Sequence, residues 1–238
     1  RLSKGLAAAG EAPPRIRPRP GLLAMGAPFA ISAIGGILLT EGNLVIGAVF
    51  LDYDELGIYA VAHRMALLSF FILSSIQMMA APRFSRLWSA GEVDRLKRTG
   101  RDISRLAVLA NLPVFALLIL GRDPIIDLAF GSEFGGAAPV LAVLLVGQAV
   151  NALTGVTGPF LSMTGGQKTL ASITVLAGVV NIALVVLLTP IYGVLGPAIA
   201  MAIALSTQNL AAVTAIRLRH GFWLCYIPGT ELLPRRKR

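Results

Sequence analysis

Six runs of nearly unbroken apolar residues divide the chain, at residues 22–39, 56–81, 103–120, 137–157, 169–188 and 194–216. A helix needs about 20 apolar residues to cross the hydrocarbon of a bilayer. Each run therefore predicts one membrane-spanning helix. Residues 40–54 fit this pattern poorly. Glu41 and Asn43 precede a short apolar stretch, and Asp52 and Asp54 follow it. That stretch is too short to span, and it predicts a short or re-entrant helix against the bundle. The alternative is one long first span reaching Leu51, which would set Glu41 at a costly depth.

Composition sharpens this picture. Of 238 residues, 55% are hydrophobic and only 14% are charged. A soluble domain carries about 25% charged residues, and one core of this size could not hide so much apolar surface. Disorder is excluded by the same hydrophobicity. A single cysteine, Cys225, rules out an internal disulfide. Two histidines and one cysteine offer no clustered metal ligands.

The net charge of +9 would suggest nucleic acid in a soluble protein. Its distribution points instead to membrane topology. Basic residues crowd the segment before the first run, the segment between the second and third, and the segment after the sixth. Lys168 lies between the fourth and fifth. Nineteen of the 21 basic residues thus fall on one side. The opposite loops hold Arg122 with Glu41, Asp52, Asp54, Glu55, Asp123, Asp127 and Glu133. Such asymmetry predicts an even number of spans with both termini cytoplasmic. The segment 82–102 is basic and amphipathic. It reads either as a helix in the headgroup layer facing anionic lipid or as a solvated loop with ordinary topology charges. Pro82 is expected to end the second span.

Polar residues inside the spans are the candidate functional groups. Arg64 lies about 12 Å below Leu56 at ~1.5 Å per residue. A charge at that depth costs about 2.5–3.5 kcal/mol on insertion scales, so it must face water or a partner. A guanidinium fork suits a phosphate there. Its neighbour His63 is the second candidate. Both could instead snorkel to the outer surface. Gln148, Asn151 and Thr154 recur every third residue and share one helix side. Asn181, Gln77, Gln208 and Asn209 add polar positions in the fifth, second and sixth spans. Together they could line a hydrophilic lumen or serve as interhelical hydrogen-bond glue. Pro28, Pro113 and Pro159 can bend helices or free carbonyls. The sequence contains no P-loop, His-Glu-x-x-His or GxSxG signature and no paired intramembrane carboxylates, which argues against an enzyme. Nothing points to a cofactor.

Five stretches carry a family resemblance. They are GIYAVAHR at 57–64, APRFSRL at 81–87 with AGE at 90–92, FGSEF at 130–134, GPFLSMTGGQK at 158–168, and TPIYGVLGPAIA at 189–200. In this order and spacing they resemble the C-terminal half of polysaccharide flippases of the multidrug/oligosaccharidyl-lipid/polysaccharide exporter superfamily, which includes the Wzx-type flippases. The resemblance implies an all-α fold with two bundles of six helices, of which this chain holds one. It implies alternating access, with an undecaprenyl-diphosphate type lipid-linked oligosaccharide carried through a central cationic cavity. Arg64 fits the cationic role there, with His63, Gln148, Asn151, Asn181, Asn209 and Glu41 as further cavity candidates. The location implied is the bacterial inner membrane. The partners implied are membrane lipids and a missing N-terminal bundle or a second copy, with no nucleic acid.

The domain reading is a basic linker over 1–21, a six-helix bundle over 22–219 and a basic cytoplasmic tail over 220–238. A start at Arg1 fits a linker joining two bundles. Apolar tail residues from Phe222 to Ile227 suggest an interfacial anchor. Two other functions remain open. A drug or cation antiporter of the same superfamily would need a coupling carboxylate, for which Glu41 is the nearest candidate. A non-transporting scaffold for polysaccharide assembly would use the basic loops instead.

Overall fold

The computed structural model describes residues 22–225, with side chains from Phe29 onward. Among the described residues every regular element is helical. The helices are α1 (Leu22–Thr40), α2 (Gly42–Gly47), α3 (Tyr53–Ser89), α4 (Val93–Leu120), α5 (Arg122–Ala129), α6 (Ala137–Thr154), α7 (Thr157–Met163), α8 (Gln167–Tyr192) and α9 (Leu195–His220). A single 3-10 turn, Ser132–Phe134, leads into α6. Five helices, α3, α4, α6, α8 and α9, are long and apolar enough to cross a membrane. In α1 the described apolar part is the shorter Phe29–Thr40. The protein is an all-α, multi-pass membrane protein. Large apolar side chains such as Phe71, Met78, Leu120, Leu176, Leu187 and Ile191 lie on its outside.

Three expected boundaries move. Pro82 does not end the second span, because α3 continues through it to Ser89. A proline removes one backbone donor, and the carbonyl it frees, four residues earlier, belongs to Met78, an exposed residue. The third span starts earlier than residue 103, since α4 begins at Val93. The basic segment 82–102 is therefore a helical hairpin that extends both spans beyond the apolar slab. At ~1.5 Å per residue, α3 is about 55 Å long and α4 about 42 Å, against ~30 Å of hydrocarbon. The fourth run is broken. α6 stops at Thr154, Gly155 turns with φ +64, and α7 resumes at Thr157. A positive φ needs glycine, and a Cβ at Gly155 would also stand 2.8 Å from Ser104 Oγ of α4.

Packing divides the bundle into two apolar layers. One gathers Tyr59, Ala62, Met65, Val140, Leu141, Leu144, Ala198 and Met201 from α3, α6 and α9. The other gathers Ala80, Phe84, Leu96, Phe160, Leu161, Ala212 and Ile216 at the opposite end. The tail divides at its start: Phe222 and Leu224 pack into this second layer, whereas Trp223 is exposed. Tyr226 and Ile227 lie outside the described residues. On the other flank α1 lies against α8, so closely that a Cβ on Gly178 would meet the Gly35 carbonyl oxygen at 3.0 Å.

Candidate functional site

Between the two apolar layers lies a polar belt. On α3 and α4, the Ser69 hydroxyl donates to Asn111 Oδ1 at 2.8 Å, and Asn111 Nδ2 donates to the Ala107 carbonyl. On α6, Asn151 Nδ2 donates to Gln148 Oε1 at 3.3 Å. The Thr154 hydroxyl reaches Asn209 Oδ1 of α9 at 3.1 Å, and Asn209 Nδ2 donates to the Leu205 carbonyl. Gln208 Nε2 donates to the Thr174 hydroxyl of α8 at 3.1 Å. Each bond satisfies a group that would be expensive to bury alone.

Above part of this belt opens a cavity of about 400 Å³. It lies between α1 and α3. α1 packs on α8, α2 and α9, whereas α3 packs on α4, α6 and α7, which leaves a gap between them. α1 contributes Ala33, Gly36, Ile37 and Thr40, with Glu41 at its end, and α3 contributes Leu67, Phe70 and Gln77. The deeper lining holds Asn151, Thr157, Gln208 and Asn209. The size falls in the range of small-ligand sites.

The sequence candidates are therefore sorted into groups. Glu41, Asn151 and Asn209 line the cavity. Gln148 is buried behind Asn151. Asn181 belongs elsewhere: its Nδ2 donates to Asn43 Oδ1 at 2.8 Å and approaches the Leu38 and Leu39 carbonyls. That contact fastens α8 to the α1–α2 junction. His63 is buried and stacked on Tyr59, with ring centroids 5.9 Å apart.

Arg64 is one residue further on, turned about 100° around the helix, and its side chain is exposed. It precedes Leu67 by three residues and so stands one turn along from the cavity lining, on the same side. It does not itself line the cavity. Exposed Leu68 and Phe71 follow it on the same helix face.

Sequence reading missed Ser69, Asn111 and Thr174 as members of the polar belt. Among these, Asn111 carried a legible signal, a lone amide within a leucine-rich run. The break at Gly155 was also unrecognised. Gly155 lies between α6 and α7, so its carbonyl has no donor within a helix. Gln77 Nε2 supplies the missing donor from α3 at 2.9 Å.

Apolar flanks thus enclose a polar belt and a cavity, with the exposed Arg64 one turn along α3 from the cavity lining. The chain belongs to the polysaccharide biosynthesis protein family, whose model matches residues 15–139. It is 24% identical over 180 residues to a "Probable low-salt glycan biosynthesis flippase Agl15" from Haloferax volcanii. It is 29% identical over 195 residues to an "Uncharacterized membrane protein EpsK" from Bacillus subtilis. These alignments cover 76% and 79% of this chain but 38% of each relative. The chain thus matches well under half the length of the curated relatives. No solved structure matches it.

Proposed function

We propose that this chain is one bundle of a flippase for lipid-linked oligosaccharide, corresponding to the C-terminal half of a two-bundle exporter. The observation that carries the reading is Arg64. An exposed guanidinium stands on α3 above exposed Leu68 and Phe71, beside a cavity lined by amides. At membrane depth it needs an anion, water or a covering partner. A second bundle, from the same polypeptide or another copy, would cover this face and close the cavity.

In this reading Arg64 holds the diphosphate of the substrate through its planar fork. Asn151, Gln208 and Asn209 offer donors and acceptors for sugar hydroxyls. The lipid tail stays outside along the apolar face. The break between α6 and α7 gives one wall a place to bend as the bundles rock between inward and outward states. The membrane is the cytoplasmic membrane, with the basic helix ends on the cytoplasmic side.

The test is Arg64→Ala in the source cells. Glycan export should be abolished while the protein remains in the membrane at its normal level. Export that survives this change would remove Arg64, and with it the assignment of the cavity. The antiporter reading rests on Glu41, which lines the same cavity. Glu41→Gln with unchanged transport would count against it.

A further inference from the structure

The end of the molecule away from Arg64 carries a second concentration of charge. α3 outlasts its apolar run by about two turns, and α4 begins nearly three turns before its own. Gly91 turns the chain between them. The hairpin encloses a groove of about 670 Å³ lined by Arg83, Arg86, Leu87, Ala90, Arg95 and Arg98, with Glu92 and Thr99. Its size falls in the small-ligand range.

Two arginine pairs with i,i+3 spacing face each other across this hairpin, each pair on one side of its helix. Glu92 is the sole acid in the lining, and Arg95 engages it at 2.7 Å. Among the described residues, Arg83 and Arg86 have no ion-pair partner. Four guanidinium groups thus converge against one carboxylate. Gathering like charges is unfavourable unless an anion joins them. Guanidinium forks match phosphate oxygens bidentately.

The depth of the groove narrows the identity of that anion. The apolar part of α3, residues 56–81, is about 39 Å long at ~1.5 Å per residue, longer than the ~30 Å hydrocarbon. Arg83 therefore lies past the slab, in or beyond the headgroup layer. Exposed Trp88 and Val93 flank the hairpin turn, and tryptophan favours that layer.

We propose that the Arg83, Arg86, Arg95 and Arg98 groove binds a phosphomonoester or diphosphate group presented by a membrane lipid. The site is separate from the cavity beside Arg64, and its occupancy does not depend on transport. A lipid held there anchors the hairpin to the bilayer surface.

The chain contains two tryptophans, so Trp223→Phe leaves Trp88 as the reporter beside the groove. This variant is placed in phosphatidylcholine vesicles with brominated chains either on added phosphatidic acid or on an equal fraction of added phosphatidylcholine. We expect Trp88 to be quenched preferentially by the phosphatidic acid. Arg83→Gln with Arg86→Gln should reduce that preference by roughly tenfold or more. Arg95→Gln with Arg98→Gln should do the same, whereas Lys168→Gln, outside the groove, should not. Glu92→Gln removes the competing acid and should increase the preference, a result readable even if the arginine variants fail to insert. Soluble pyrophosphate at equal total phosphate should not displace the lipid. Equal quenching by both lipids, or a preference indifferent to the arginines and Glu92, would overturn the proposal. Displacement by pyrophosphate would overturn the lipid as occupant and leave a soluble-phosphate site.

Discussion

Gln77 donates its side-chain amide to the carbonyl of Gly155 at 2.9 Å, a carbonyl that lies between α6 and α7 and so has no donor within a helix. One long-range bond thus stabilises the break between α6 and α7 from the facing helix. Gln77→Leu keeps the bulk and removes the donor. A buried acceptor left unsatisfied costs about 1–3 kcal/mol. We expect the melting temperature of the purified protein to fall accordingly. Gln77→Glu should also be harmful at neutral pH, because a carboxylate cannot donate to a carbonyl. An unchanged melting temperature for both variants would show that the broken helix needs no such support.

The pairing of Asn43 with Asn181 yields a second expectation. Both side chains are fully buried, and Asn181 Nδ2 lies 2.8 Å from Asn43 Oδ1. Asn43→Leu and Asn181→Leu should each destabilise the fold, while the double variant loses less than their sum. Interhelical hydrogen bonds in membranes average ~0.6 kcal/mol and reach about 1.7. A double-mutant cycle measures the coupling. Strict additivity would mean that α8 and the α1–α2 junction are held by packing alone.

Close backbone approach makes α1 and α8 sensitive to added volume. With a Cβ on Gly178 already 3.0 Å from the Gly35 oxygen, Gly178→Leu must push the helices apart. Overpacking of this kind costs typically about 1–3 kcal/mol. Gly36 has open space beside its missing Cβ, so Gly36→Ala should be tolerated. Comparing the two melting temperatures separates packing at the seam from a general effect of replacing glycine in α1 and α8.

How much of this was legible in the sequence follows from which forces leave a periodic trace. The apolar runs recorded the need to match a hydrocarbon slab, so the long helices were readable. The basic ends of α3 and α4 were not. There the helices leave the slab and become basic and amphipathic, and Pro82 looked like a stop although the helix passes through it. The polar stripe Gln148, Asn151 and Thr154 was visible from its spacing. Its continuation to Asn209 was not, because partners 55 residues apart leave no local pattern. Arg64, and after it His63, were both read as candidates for the same cavity. Helical rotation separates them, placing His63 in the core and Arg64 outside.

Cys225 supplies a topology probe. It lies just after α9 and is half-buried. Burial pushes its thiol up, with Arg101 pulling the other way. Less thiolate at a given pH means slower alkylation. We expect an impermeant maleimide to label Cys225 more slowly than a peptide thiol at neutral pH, the gap narrowing as pH rises. Labelling should occur only from the side that carries the basic helix ends. Labelling from the opposite side would invert the charge-based orientation.

The most direct measurement is photo-crosslinking with a lipid-linked oligosaccharide diphosphate carrying a photoreactive sugar, in membranes containing the protein. If the cavity between α1 and α3 is the substrate path, the label will fall on α3 around Leu67 and Phe70 and on α9 around Gln208 and Asn209. Arg64→Gln will reduce it strongly at equal protein level. A label confined to outward-facing positions such as Leu120 or Ile191, and indifferent to Arg64, would contradict the account.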